Sequence, residues 1–231
     1  MLILGFAGSV FAAVTLCISA EGILAETAAH PEVPALMETQ PILTDSLSVA
    51  VPGTTLRIEK LSSYDGPFLE DRSDREVVNV AALHVHNADD KEILKACVTL
   101  WYGNVLYVFY GEHIPPGATV ILLESNGMRY REEAVSHCNG WQETANYISR
   151  EDISVTDRAM GTLIVTNLTD KTFQNVCLYY KSWLSPPEVY VGGITYETRL
   201  PLLLPGQSLY LYPDHYATGY SKVVSVTADC S

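Results

Sequence analysis

The chain has 231 residues, 48% of them hydrophobic, which suits one large domain or two small ones and is too apolar for a disordered chain. Only 18% are charged, 14 Lys or Arg against 27 Asp or Glu, and the formal net charge of −13 excludes a nucleic-acid groove or a general attraction to anionic lipid. Fourteen tyrosines, twelve prolines and fifteen glycines point to short β-strands and tight turns rather than a helix bundle or coiled coil.

Residues 1–20, MLILGFAGSVFAAVTLCISA, hold no charged side chain, so the expected order begins with a signal peptide or membrane anchor at 1–25. The first basic residue is Arg57, and flanking charge therefore does not orient the segment. The small-x-small site Thr27-Ala28-Ala29 suits cleavage, whereas an uncleaved segment would be an anchor; both stay open. Leu16 stands where a lipobox ahead of Cys17 requires a small residue. Pro31, Pro34, Pro41 and Pro52, without apolar periodicity, mark 26–53 as a flexible linker.

The remainder repeats itself. LHVHNADDKEILKAC at 83–97 aligns without a gap to LIVTNLTDKTFQNVC at 163–177, and IPPGATVILLE at 114–124 parallels LLPGQSLYLYP at 203–213 after a longer insertion in the second copy. AVSHC at 134–138 is placed against VTADC at 226–230. Two units are expected, 54–149 and 150–231, each an antiparallel β-sandwich. Alternating apolar positions predict strands at 55–60, 77–86, 93–102, 105–110, 119–124, 161–167, 173–181, 194–200, 207–212 and 222–228. Asn87 and Asn167 end matched strands as turn caps. That role also accounts for the sequon Asn167-Leu168-Thr169, since the matched Asn87-Ala88-Asp89 is not one.

If both copies are treated alike, an exported chain would pair Cys97 with Cys138 and Cys177 with Cys230, the alternative being four buried free thiols. Periodicity warns against the first bridge, because Cys97 shares a strand face with Lys95 and Thr99.

Several residue sets could carry chemistry. His84-x-His86 projects two imidazoles to one strand face and would hold a metal if His113 or His137 approached as third ligand; the histidine-tolerant sheet face is the plainer account, and no metal is expected. Asp65, Glu70, Asp71, Asp74 and Glu76 form an acidic run that either wraps calcium or is a solvated loop. Tyr210 and Tyr212 lie on one strand face with Leu209 and Leu211 on the other, which makes the tyrosine pair a possible partner-binding platform. No nucleophile elbow, zincin helix, phosphate loop or Cys-x-x-Cys occurs, and Gly192-Gly193 reads as a hairpin turn or bulge.

The run LIVTNLTDKTFQNVCLYYK resembles FxLYD-type and related immunoglobulin-like modules of exported Gram-positive proteins, and SSYDGPFLEDRSDREVVNVAALHVHN is similar to an exported family of clostridial type. The resemblance implies an all-β chain of two tandem immunoglobulin-like sandwiches lying outside the cytoplasmic membrane, and brings no catalytic residues. The expected function is a non-catalytic cell-envelope module that binds a protein or glycan partner without a cofactor and touches membrane only through its N-terminal segment. The alternatives are a structural spacer of a membrane complex and a metal-dependent hydrolase using His84 and His86.

Overall fold

The computed structural model describes residues 48–132 and 135–230. The expected leader at 1–25, Cys17 and the linker up to residue 47 lie outside the described residues.

The chain is all-β. The first half comprises β1 (Val49–Ala50), β2 (Leu56–Phe68), β3 (Arg75–Asn87), β4 (Ile93–Tyr102), β5 (Val105–Ile114), β6 (Thr119–Leu123) and β7 (Val135–Thr144). The second comprises β8 (Ile153–Arg158), β9 (Thr162–Asn167), β10 (Phe173–Leu184), β11 (Val189–Leu203), β12 (Ser208–Leu211) and β13 (Ser221–Cys230). A 3-10 turn at Ala159–Gly161 is the only helical piece among the described residues, and no helix there is long and apolar enough to cross a membrane. All ten predicted segments are strands, and β4 has the predicted bounds. β1, β7 and β8 were not anticipated. β2 runs on to Phe68 and takes in Asp65, so the acidic run is part strand and part turn.

Three sheets result: β1-β2-β3-β6-β11-β10-β13, β5-β4-β7 and β12-β9-β8. Alternation explains the layers. In β3, Leu83 and Val85 point into one core with Leu56, Ile58, Val98, Leu100, Phe109 and Leu122, while His84 and His86 take the other face. Leu163, Val165, Phe173, Leu178 and Leu203 fill a second core. Each such side chain, fully buried, contributes about 1.5–3 kcal/mol.

The repeat is visible in hydrogen bonds as well as in order. Asn87 Nδ2 donates to the carbonyls of Lys91, Ile114 and Pro115, and its Oδ1 accepts from Asp89 N. Asn167 Nδ2 donates to Lys171, Leu203 and Leu204, and its Oδ1 accepts from Thr169 N. With Asn167 1% exposed, its amide is committed to the fold and closed to a glycan.

The longer second-copy insertion joins the halves. β4 and β5 turn at Tyr102 and Val105, but β10 and β11 extend beyond this as a hairpin in which Ser182, Trp183 and Leu184 pair with Val191, Tyr190 and Val189. That extension lays Tyr190 and Val191 parallel to Val120 and Ile121 of β6. Its other face closes a third apolar cluster with Phe68, Leu69, Val77 and Leu123. One sheet therefore runs from β1 to β13 across residue 149. Between Tyr180 and Ser182 the β10 register shifts, so residues 192–195 of β11 bulge toward the first half. Only glycine fits there: a Cβ on Gly193 would sit 1.9 Å from the Tyr110 carbonyl oxygen, and Gly192, at φ +82°, abuts Leu69.

The cysteines correct the expected pairing. All four described cysteines are free. On β7 the ladder partner of Cys97 is Trp141, whereas Cys138 stands opposite Leu100 and packs in the core, so the two thiols lie on opposite faces of one sheet. On β13 the partner of Cys177 is Thr227, and Cys230 stands opposite Phe173. Three residues along a strand is about 10 Å, beyond the reach of a disulfide.

Candidate functional site

The bulge brings charge into the junction between the halves. Lys181 is fully buried, and its Nζ donates to the carbonyls of Glu112 (3.0 Å), Gly193 (2.9 Å) and Ile194 (2.7 Å) and to Thr195 Oγ1 (3.1 Å). Burial pulls its pKa down, and the carboxylates of Glu70 and Glu112 oppose that. Glu70 Oε1 accepts from Gly193 N (2.8 Å) and Leu123 N (3.1 Å); burial raises its pKa against those bonds and the field of Lys181. Glu112 Oε2 accepts from Thr195 N at 3.1 Å.

Above this floor lies a cleft of about 420 Å³, walled by both halves. His113, at the end of β5, stacks its ring on Tyr179 of β10, 4.0 Å between centroids and 19° apart. Its Nδ1 is 2.6 Å from Oε1 of Glu92, which is 8% exposed. His215, in the β12–β13 loop, stacks on Tyr196 of β11 at 4.8 Å, with Nδ1 3.6 Å from Asp74 Oδ2 in the β2–β3 turn. A carboxylate only accepts, so His113 Nδ1 carries the proton on the Glu92 side, whereas the longer His215–Asp74 approach is an ion-pair distance and fixes no tautomer. Arg72 reaches over Tyr196 at 5.9 Å, and the Tyr180 hydroxyl donates to the Asp214 carbonyl.

Four of the seven non-glycine residues with positive φ among the described residues lie here. Arg72 (φ 58°), Asp74 (φ 51°), His113 (φ 45°) and His215 (φ 58°) all occupy the left-handed region that disfavours side chains. Cys177, on β10 below Tyr179, donates to Glu197 Oε2 at 3.8 Å, and burial raises its pKa, which keeps it a thiol rather than a nucleophilic thiolate at neutral pH.

Of the residues singled out from sequence, Glu70, Asp74 and His113 belong to this site and the others lie elsewhere. His84 Nε2 faces Ser62 Oγ at 3.1 Å, and burial with the Lys60 charge lowers its pKa; His86 Nδ1 faces Thr119 Oγ1 at 3.3 Å. Neither conditional third ligand joins them, since His113 is held by Glu92 and His137 stands opposite Trp101 in another sheet. Among the described residues no three His, Cys, Asp or Glu side chains gather as a metal set.

The acidic run disperses. Asp65 accepts from Asn79 N, Asp71 takes Ser73 and Arg75, Asp74 faces His215, and Glu70 turns inward. Tyr210 and Tyr212 are 65% and 75% exposed, while Leu209 and Leu211 pack on the second core. Sequence reasoning gave no site role to Lys181, Glu112 or His215 and saw His113 only as a spare metal ligand. The cleft draws on six separated segments, so no short motif announces it.

Comparison of the chain with protein-family models, curated proteins and solved structures finds no match.

Proposed function

We propose that this chain is an exported, non-catalytic binding protein of the cell envelope. In this reading its halves are tandem immunoglobulin-like sandwiches akin to FxLYD-type modules, and a protein or glycan partner seats in the cleft between them. The observation that carries the reading is the convergence of Arg72, Asp74, His113 and His215, all left-handed, on one cleft and its rim. Such backbone costs on the order of 1–3 kcal/mol per residue, and it persists where side chains must be aimed and held. Two histidines fixed on tyrosine faces at one cleft are a recognition surface.

The test is capture from solubilised envelope fractions by the immobilised full chain, compared with a His113→Ala/Arg72→Ala double variant that keeps its melting temperature within a few degrees. A partner retained by the wild type and lost by the variant supports the reading. Equal capture by both chains, or none by either, overturns it. The spacer reading draws on a different observation, the single sheet running through both halves over the buried Lys181. It requires that cross-linking recover only copies of the chain or membrane-complex neighbours.

A further inference from the structure

Beside the cleft, the outward face of the β5-β4-β7 sheet carries an unassigned surface. Ladder partners project to the same side of a sheet, so the register sets rows on that face: Tyr110, Cys97, Trp141; then Val108, Thr99, Asn139; then Leu106, Trp101, His137. The row on the other side of Cys97 is the charged Glu112, Lys95 and Glu143, of which Glu112 and Lys95 line the cleft. The opposite side of the same strands, with Val98, Leu100 and Phe109, is closed core. On the outward side Tyr110 and Trp141 are each 51% exposed, Trp101 38% and Leu106 37%. Two of the chain's three tryptophans thus stand in water on one flat face. By strand spacing that face is about 10 Å wide from Tyr110 to Trp141 and about 14 Å long from the Cys97 row to Trp101.

The fold does not require these aromatics. In the second half, Cys177 matches Cys97, and its ladder partners are Arg199 and Thr227; the place of Trp101 is taken by Lys181. There the first half covers the face, His113 stacking on Tyr179 and the Glu112 carbonyl accepting from Lys181. Exposed tryptophan in the first half is therefore not a by-product of the repeat.

Charge chooses among occupants. None of the nine side chains is Asp, Glu, Lys or Arg, although the chain as a whole carries −13. A second copy would meet that net charge as repulsion, and these nine side chains offer no fixed charge to an ionic partner, the charged row Glu112, Lys95 and Glu143 lying at their border. Protein hot spots also favour enclosed, well-packed pockets, which a flat three-stranded face does not offer. The C–H faces of pyranose rings pack on electron-rich aromatic faces, and their hydroxyls find Asn139, Thr99 and His137 between the rings.

We infer that the outer face of the β5-β4-β7 sheet binds a neutral oligosaccharide, with sugar rings on Trp141, Tyr110 and Trp101. This site adjoins the cleft at Lys95 and Glu112, but no cleft-lining residue belongs to the sugar-stacking set, and neither reading depends on the other. The probes are cellohexaose, xylohexaose, mannohexaose and chitohexaose, titrated into the full chain while tryptophan emission is read, with oligogalacturonate as the charged control. The expected result is a saturable emission change with at least one neutral probe and none with oligogalacturonate. Affinity should fall tenfold or more in Trp141→Ala and in Trp101→Ala, with melting temperatures unchanged, and stay within twofold in the His113→Ala/Arg72→Ala chain. Silence with all four neutral probes overturns the inference, as do unchanged affinity in both tryptophan variants or a tryptophan-dependent contact with a protein alone.

Discussion

Asn87 and Asn167 form the same set of hydrogen bonds in the two halves, each side-chain amide donating to three carbonyls while its oxygen caps the turn that follows. Both are buried, so the amide cannot be exchanged for water. Replacing either by Ala strands three carbonyls and a turn amide, and the expected cost is about 1–3 kcal/mol at each site. Denaturant unfolding should give similar losses for Asn87→Ala and Asn167→Ala and near-additivity in the double variant. A neutral substitution at one of the two would show that the halves do not share this device. Intact mass from a glycosylating host should show Asn167 unmodified.

The matched motifs carried this equivalence into the sequence, because an Asn ahead of Asp-Lys must cap the same turn in both copies. Strand alternation likewise placed β4 and turned Tyr210 outward. What stayed hidden depends on register and on edges. AVSHC and VTADC look alike, yet Cys138 stands opposite Leu100 near the far end of β4 and Cys230 opposite Phe173 at the first residue of β10. Similar alternation does not fix which rung a strand takes, and the expected disulfides failed on that point. The second-copy insertion was legible as extra length. That it would add a strand beside β6 was not, because nothing local reveals which sheet edge is open. The cleft followed from that join, and its residues became neighbours only through it.

The buried ammonium of Lys181 makes stability depend on pH in a defined direction. Its pKa is pulled down to about 8 in the folded chain, chiefly by burial, against an ordinary value of 10.5. Between those values the unfolded chain binds the proton that the folded chain releases, so this group's contribution to stability rises with pH from 8 upward. Cys138, raised to about 11, and tyrosines such as Tyr180, raised to about 12, act in the opposite sense, since their unfolded forms ionise first. The difference between wild type and Lys181→Gln isolates the lysine. The wild type should gain about 2 kcal/mol relative to the variant between pH 8 and 10. A flat difference would mean that Lys181 titrates normally and that its four oxygens offset the burial in full.

Glu70 should tilt the acid side. Its pKa is raised by burial, so the folded chain holds the carboxyl proton at pH values where the unfolded chain has lost it, and its contribution is present below pH 4.5 and lost as pH rises through the folded value. Glu70→Gln is expected to remove that decline, leaving a smaller fall in stability from pH 4.5 toward neutrality than in the wild type. Thermal melts across that range decide it, and an unchanged profile would place the titration on another carboxyl.

The four described cysteines should behave as separate thiols. Cys230 is exposed, whereas Cys97, Cys138 and Cys177 are 6%, 4% and 6% exposed, and burial raises the pKa of each of these three. Low exposure and a small thiolate fraction both slow alkylation. Brief iodoacetamide treatment of the native, oxidised protein should therefore label Cys230 first, and the other three should react only after denaturation, without reductant. Adding reductant should leave the unfolding midpoint unchanged, because no bridge among the described cysteines constrains the unfolded chain. If Cys97 and Cys138 resisted alkylation in denaturant until reduced, the β4–β7 register would have to shift by an odd number of residues to bring both thiols to one face. That shift would turn Trp141 inward, and peptide mapping of the alkylated sites reads it directly.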